Sequence, residues 1–326
     1  MLDFFGAIGS FIMTPLYYVI SVVMVGWHRL WSIPFGEDSG AAWALSIVGL
    51  TIVIRAALIP LFVKQIKSSR NMQLLQPKMK ELQKKYGHDR ERLAQETMKL
   101  YKDTGTNPFA SCLPILLQMP IFFALFRLID QAAKNGEGRG ILSNEEAASL
   151  RDAELFGVPI SPTFLGADGD VGVMVMAALL VVAMTLTTFL TQRQLMSKNM
   201  PPDALKGPYA QQQKLLLYVL PVVFAVGGIA FPIGVLIYWT TSNLWTMGQQ
   251  YYVIRRNPAP GTPAFAAKQE RDKAKGKGVQ PDPVAEVVEE RRPAVRQQPK
   301  KQTRAQRTQG GAKPAPRSGA PVKKKR

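Results

Sequence analysis

Residues 215–254 form a stretch of 40 residues without a charged side chain. A helix crosses the roughly 30 Å hydrocarbon core of a bilayer with about 20 apolar residues, so this stretch is about twice the length of one span. Residues that weaken helices lie near its middle, namely Gly227, Gly228, Pro232 and Gly234. The stretch therefore predicts a hairpin of two membrane spans, residues 215–231 and 232–254. An ordinary soluble globular fold is excluded.

Three further stretches are long and apolar enough to span a bilayer. They are residues 43–63, 108–131 and 171–192, and the first of them contains one charged residue well inside it, Arg55. The sequence thus predicts an all-α polytopic membrane protein with a core bundle of five spans.

The segments between the spans differ in charge, which predicts their side of the membrane. Residues 64–107 carry eleven basic and five acidic side chains, and residues 193–214 carry four and one. Residues 132–170 carry three basic and seven acidic side chains. Because basic connections stay in the cytoplasm, we expect the first two segments inside and the third outside. We therefore expect a multi-pass protein of the cell membrane. An odd number of spans then places the N-terminus outside and the C-terminal tail in the cytoplasm.

The N-terminal part, residues 1–42, allows two interpretations. Residues 4–27 are long enough for a sixth span, but they contain Pro15 and end in an aromatic and basic group that includes Trp27 and Trp31. Tryptophan favours the headgroup layer, so we favour an external amphipathic helix that lies in the interface.

Residues 64–107 predict a cytoplasmic pair of amphipathic helices. Apolar residues recur at helical spacing in the first half, at Met72, Leu75, Met79, Leu82 and Tyr86. Asp89 is a suitable N-cap for the second helix, and Pro77 should kink the first. The alternative is a soluble linker without a role of its own.

Residues 255–326 contain 20 basic and six acidic residues, ten prolines and a single aromatic residue, Phe265. Such a chain has little apolar surface to bury, and it predicts a disordered basic tail. We expect its cations to contact ribosomal RNA, with anionic lipid as the alternative partner. The cations that we expect to make this contact are Lys300, Lys301, Arg304, Arg307, Lys323, Lys324, Lys325 and Arg326.

Arg55 is the most informative single residue. It lies roughly 12 Å below the predicted cytoplasmic boundary, where a guanidinium costs on the order of 3 kcal/mol. No span offers a carboxylate at that depth, since Asp130 lies at the outer end of its span, where we expect it to pair with Arg127. Arg55 should therefore face a wet groove, unless its side chain snorkels to the inner surface.

Other polar residues of the spans could line the same groove. Thr51 lies one turn before Arg55, and the amides Gln118 and Gln192 lie on other spans. The last span adds four more polar residues, which are Thr240, Thr241, Ser242 and Asn243. The alternative for the two amides is hydrogen bonding between helices. Periodicity alone assigns Tyr238 and Trp239 to packing within the last span.

The sequence contains no recognisable catalytic or cofactor-binding motif. Cys112, His28 and His88 are too few and too widely spaced to predict a metal site or a cysteine nucleophile. We therefore expect neither an enzyme nor a cofactor. The remaining alternatives from the residues are a solute transporter or channel, and a passive membrane anchor for ribosomes.

Several segments together carry a specific resemblance. They include LQPKMKELQKKYGHDRERLAQETMKLYKDTGTNPFASCLPILLQMPIFFALF in residues 75–126 and LIYWTTSNLWTMGQQYYV in residues 236–253. With these motifs, residues 4–254 resemble the YidC membrane protein insertases of the YidC/Oxa superfamily, particularly the actinobacterial type.

This resemblance implies an insertase and chaperone for newly made membrane proteins, with nascent membrane proteins as clients. It also implies the Sec translocon as a partner, and we expect a monomer. The groove arginine of that family falls at Arg55, with the neighbouring threonine at Thr51 and a polar groove position at Gln192. Tyr238 and Trp239 match an aromatic pair that touches substrate, which changes their interpretation from packing to function. The cytoplasmic hairpin and the external N-terminal helix also have counterparts in the family.

Overall fold

The computed structural model describes residues 2–63, 65, 75–105, 113–200 and 208–278. These residues form ten α-helices and one antiparallel pair of short strands. The helices are α1 (Leu2–Phe35), α2 (Gly40–Ala57), α3 (Gln76–Tyr86), α4 (Arg90–Asp103), α5 (Leu113–Asn135), α6 (Asn144–Asp152), α7 (Val171–Asn199), α8 (Pro208–Gly228), α9 (Ile233–Arg256) and α10 (Pro263–Ala274). The strands are β1 (Glu154–Leu155) and β2 (Val158–Pro159).

Each of the five predicted spans contains a long helix, in the order α2, α5, α7, α8 and α9. Two of these helices, α2 and α7, begin at a side-chain N-cap. The Ser39 side chain accepts a hydrogen bond from Ala41 N, and the Asp170 side chain accepts one from Val173 N. Among the described helices, α2 and α7 are individually long and apolar enough to cross a bilayer. The crossing by all five remains a prediction.

The core of the bundle is formed by α1, α2, α5, α7 and α9. Its largest fully buried side chains include Ile20, Met24, Trp43, Leu50, Leu125, Met184 and Ile233. Helix α1 is a single helix that is longer than the predicted 4–27 stretch, and it packs along α2 and against α5. A Cβ atom on Gly49 would lie 2.6 Å from the ring of Trp27, so a glycine is required where these two helices approach each other.

The predicted external loop, residues 132–170, contains ordered structure, and its first residues continue α5 to Asn135. Helix α6 begins with a capping box in which the Ser143 hydroxyl accepts from Glu146 N and the Glu146 carboxylate accepts from Ser143 N. Strands β1 and β2 follow, and β1 forms a bridge to Ser39, just before α2. The segment therefore packs over the start of α2.

Hydrogen bonds join connecting segments to each other at one end of the bundle and at the other. Ile233 N donates to Pro162 O at 3.1 Å, and Gly234 N donates to Ile160 O at 2.9 Å, which joins the α8–α9 turn to residues 160–162. Beyond the other end of α7 and α9, Ala259 N donates to the side chain of Asn199 at 2.9 Å. Both pairings agree with the sides predicted from charge, while the orientation itself remains a prediction.

The predicted hairpin of residues 64–107 contains α3 and α4, which pack against each other; its cytoplasmic location remains a prediction. The Asp89 carboxylate accepts from Arg92 N at 3.0 Å, as predicted for an N-cap. The prediction of a kink at Pro77 is wrong for the described helix, because α3 begins at Gln76 and the proline occupies its first turn. A proline is tolerated there, since the amide of that position has no partner within the helix. Met72 lies outside the described residues.

The prediction of disorder throughout residues 255–326 is wrong at its start, where α10 forms. Thr262 caps this helix by accepting from Phe265 N, and Pro263 occupies its first turn. Phe265 is buried, and the helix packs against α7 and α9. The average composition of the tail concealed this short segment, in which the one aromatic residue follows a cap and a proline. Residues 279–326 lie outside the described residues.

Candidate functional site

Arg55 lies in the last turn of α2 and is half-buried. Its Nη2 donates a hydrogen bond to Ser242 Oγ on α9, and its Nε is buried without a hydrogen-bond partner. Within the described part of the chain, no carboxylate forms an ion pair with this guanidinium. The site therefore contains a cation whose only hydrogen-bond acceptor among the described residues is a neutral hydroxyl.

Gln118, Tyr238 and Ser242 extend this contact across the bundle. Gln118 Nε2 on α5 donates to the Tyr238 hydroxyl on α9 at 2.8 Å, and the Tyr238 hydroxyl also hydrogen-bonds to Ser242. Tyr238 is buried. A continuous hydrogen-bonded chain thus joins α5, α9 and α2, and it ends at Arg55. We call these four residues the Arg55 cluster.

Polar atoms of this region remain unsatisfied. Gln118 Oε1 and Thr240 Oγ1 are buried, and neither has a hydrogen-bond partner among the described residues. A buried polar atom without a partner costs about 1–3 kcal/mol, so such atoms usually bond to the protein or to water. Gln118 Oε1 and Arg55 Nε, both in the Arg55 cluster, can therefore each form a further hydrogen bond.

Among the described residues, no hydrogen bond joins the other two predicted groove residues to the cluster. Thr51 is buried, and its hydroxyl donates to Ile47 O of its own helix at 2.7 Å, so it does not bond to Arg55. Gln192 is half-buried on α7. Sequence spacing predicted that Thr51 lies on the same helix face as Arg55, but its hydroxyl bonds to a backbone carbonyl of its own helix.

Trp239 has a different environment from its neighbour Tyr238. Its ring packs against Phe122, Phe224 and Phe231, with centroids 5.3, 5.0 and 5.7 Å away. This aromatic group connects α5, α8 and α9, and Trp239 remains partly exposed. The adjacent residues thus present a buried hydroxyl and a partly exposed ring.

Asn243 joins α9 to α7 by hydrogen bonds. Its Nδ2 donates to Thr188 Oγ1 at 2.9 Å and to Met184 O at 3.3 Å, both on α7. An amide within an apolar span was the available signal, because such a group forms hydrogen bonds between helices. The same hydrogen bonds also position Ser242, the preceding residue of α9.

Asp130 does not pair with Arg127, contrary to the prediction. Its carboxylate lies 2.7 Å from Lys134 Nζ, one turn further along α5. Spacings of three and four residues both allow a helical ion pair, and the lysine at spacing four is the one used. Asp130 is thus not a counter-ion for Arg55.

Other candidate residues lie outside the described structure. They are Cys112 and the tail cations Lys300, Lys301, Arg304, Arg307, Lys323, Lys324, Lys325 and Arg326. In the described part of the chain, no group of three or more metal-ligating side chains is present.

Comparison with known proteins gives a consistent result. The model of the family described as 60Kd inner membrane protein matches residues 35–260. The membrane protein insertase YidC of Streptomyces avermitilis is 49% identical over 278 residues, which cover 83% of this chain and 64% of that protein. The membrane protein insertase YidC of Tropheryma whipplei strain Twist is 39% identical over 290 residues, which cover 83% of this chain and 94% of that protein.

A solved structure of an active YidC insertase, with its first transmembrane domain resolved, is also similar. Its sequence is 23% identical to this chain, and the match covers 72% of this chain and 46% of that one, with a TM-score of 0.45.

Proposed function

The chain belongs to the YidC family of membrane protein insertases, and from this premise we propose that the Arg55 cluster is the polar contact for client proteins during insertion. A polar or acidic segment of the client would bind transiently at the cluster while an adjacent apolar segment enters the lipid. No nucleotide hydrolysis is required, because the free energy comes from transfer of the client out of water.

The state of Arg55 is the observation that supports this proposal. A guanidinium in an apolar helix is costly and normally pairs with a carboxylate or faces water. Arg55 instead contacts Ser242, and its Nε has no partner among the described residues. A client carboxylate could replace the serine with a charge-assisted and bidentate pair, which is stronger than a bond to a neutral hydroxyl. The interaction would then be reversible, because Ser242 can take the guanidinium back.

The other unsatisfied atoms suit an unfolded polypeptide. An extended segment presents backbone N–H and C=O groups that must find partners once they leave water. Gln118 Oε1 can accept from a client N–H, and the Arg55 Nε–H can donate to a client carbonyl. The cluster would thus lower the cost of bringing a polar segment below the membrane surface.

Apolar transfer would supply the driving force. The exposed side chains Val175, Leu179, Val182 and Leu186 form a stripe along α7, and Trp239 of α9 is partly exposed. A client helix that slides along these helices exchanges water for lipid, which contributes roughly 25 cal/mol per Å² of apolar surface. The Arg55 cluster lowers the barrier to this step, and hydrophobic transfer determines its direction.

The remaining partners follow from the other elements. We propose that the α3–α4 hairpin receives the client, and that the basic tail binds ribosomal RNA and places the exit tunnel nearby. The Sec translocon would be a further partner for larger clients. Anionic lipid is the competing partner for the tail.

Insertion into proteoliposomes tests the proposal. We expect Arg55→Ala to reduce insertion of a short client with an acidic external segment by roughly ten-fold or more, the equivalent of at least about 1.4 kcal/mol. Arg55→Lys should be partly active, because lysine retains the positive charge but lacks the planar guanidinium that can form two parallel hydrogen bonds with a carboxylate. Arg127→Ala is the matched control, since Arg127 is an exposed arginine of the bundle outside the cluster.

The client provides a second control. When its acidic residues are replaced by serine, the difference between wild type and Arg55→Ala should shrink. Equal losses for acidic and neutral clients, or equal losses for the Arg55 and Arg127 variants, would refute a direct contact with the client.

A further inference from the structure

Residues 153–170 expose two large apolar side chains although charge places them in an external loop. Phe156 lies at the tip of the β1–β2 hairpin and is 92% exposed, and Leu165 is 66% exposed. The φ angle of Phe156 is 56°, a left-handed conformation that is uncommon for a bulky residue.

Phe156 lies close to one end of an apolar stripe on α7. Val158 of the hairpin packs against the first turn of α7, where a Cβ atom on Gly172 would lie 3.0 Å from Val158 Cγ2. The stripe begins beside that contact with Val171, which is 69% exposed, and continues through Val175, Leu179, Val182 and Leu186. In a membrane-embedded bundle, a helix face of this composition contacts lipid.

Leu165 has the same relation to a second helix. Its backbone N donates to Ile229 O at 3.3 Å, in the turn that follows α8. Helix α8 exposes its own apolar stripe, made of Leu215, Tyr218, Val219, Val222, Val223 and Val226. Leu165 therefore lies just beyond the end of a second lipid-facing surface, and it reaches that position by an independent contact.

Carboxylates flank the two apolar residues. Asp152 and Glu154 precede Phe156, while Asp168 and Asp170 follow Leu165, and all four are exposed. A segment whose exposed apolar side chains are flanked by exposed carboxylates suits the boundary between water and hydrocarbon, where each kind of group can reach its preferred medium.

From these positions we propose that residues 153–170 form a membrane-associated cap whose Phe156 and Leu165 side chains insert into the outer leaflet. The hairpin and the loop would anchor the ends of α7 and α8 at a fixed depth. This role is independent of the Arg55 cluster and does not rest on the function proposed for it.

Depth-dependent quenching in proteoliposomes of the purified protein tests the proposal. A fluorophore is attached at Phe156→Cys and, separately, at Leu165→Cys, each in a Cys112→Ser background. Val175→Cys is the lipid-facing control, and Asp152→Cys is the aqueous control on a neighbouring exposed site. The quenchers are a phospholipid with a doxyl group near the headgroup, and iodide in the water outside the vesicles.

We expect the doxyl lipid to quench positions 156 and 165 about three-fold more strongly than position 152, because a side chain in the interface lies at the depth of that doxyl group. Iodide should show the opposite order. Position 175 should respond to the doxyl lipid and not to iodide. Quenching of both loop positions by iodide to the extent seen at position 152, without quenching by the doxyl lipid, would overturn the proposal and leave a protein partner as the ligand of the patch.

Discussion

At the scale of single residues, Ser242 determines where the Arg55 guanidinium points. Ser242 is buried, and its hydroxyl is the acceptor for Arg55 Nη2. Ser242→Ala should lower the free energy of unfolding by about 1–3 kcal/mol, because a buried charged donor loses its partner. Ser242→Thr should retain most of the wild-type stability, because it keeps a hydroxyl at this position. Thermal unfolding in detergent measures the change.

A neighbouring hydroxyl serves as the control for this prediction. Thr241 donates to Ile237 O of its own helix at 2.8 Å, so Thr241→Ala should change the stability by only about 0.5 kcal/mol. If the Ser242 and Thr241 variants lose the same amount, Ser242 is no more than an ordinary helix residue.

His28 should make the stability depend on pH. Its ring stacks on Trp43 with centroids 3.6 Å apart, and its Nε2 donates to Glu37 O at 2.9 Å. Burial lowers the pKa of His28, against the opposing effects of the Glu37 carbonyl and the nearby carboxylates. The folded state therefore prefers the neutral ring, and its full stability is present above the unfolded pKa of about 6.5. The melting temperature should fall as the pH decreases through that value.

The chain offers a matched control, because its other histidine, His88, is exposed. His28→Asn should flatten the pH dependence of the melting temperature between about pH 7 and 5, the range in which a histidine gains its proton. His88→Asn should leave the slope unchanged. A slope that survives His28→Asn would assign the effect to carboxylates.

At the scale of secondary-structure elements, the contact of α1 with α2 depends on Gly49. A methyl group there would lie 2.6 Å from the ring of Trp27, and Trp27 also stacks on Trp31. Gly49→Ala should lower the free energy of unfolding by about 1–3 kcal/mol, because the buried ring must move. Gly26→Ala, in α1, has nothing within 4 Å of the new methyl group and should be neutral or stabilising by up to about 1 kcal/mol. Thermal unfolding of both variants measures the difference, and equal melting temperatures would refute the close approach.

The same scale shows which features the sequence determines. Long uncharged stretches require helices, so the five predicted spans could be read directly from residues 43–254. Which of the polar residues bonds to Arg55 could not be predicted, because a contact between helices depends on the rotation of each helix about its axis. Thr51 was on the expected face but bonds to its own helix, whereas Ser242 on α9 became the acceptor. Helix α10 was missed because one buried aromatic, Phe265, stabilises it through a contact distant in sequence.

At the scale of the whole molecule, the polar atoms lie between helices that are apolar elsewhere. The Arg55 cluster draws on α2, α5 and α9, and the Asn243 bonds fix α9 against α7. Separation of α9 from α2, α5 or α7 would therefore break at least one of these hydrogen bonds. This arrangement makes α9 the element whose register sets the geometry of the cluster.

The C-terminal part combines two roles that truncation can separate. Residues 279–326 contain thirteen basic and four acidic residues, whereas α10 packs on the bundle through Phe265 and through the Ala259–Asn199 hydrogen bond. Removal of residues 279–326 should leave the melting temperature unchanged but abolish co-sedimentation with ribosomes at low salt, since contacts to phosphates depend steeply on salt. Removal of residues 258–326 should in addition lower the free energy of unfolding by about 2–4 kcal/mol, because a buried aromatic contact is lost. If co-sedimentation survives removal of residues 279–326, ribosomes bind to the bundle or to the α3–α4 hairpin instead of the tail. If the same truncation abolishes flotation with anionic vesicles, lipid is the partner of the tail.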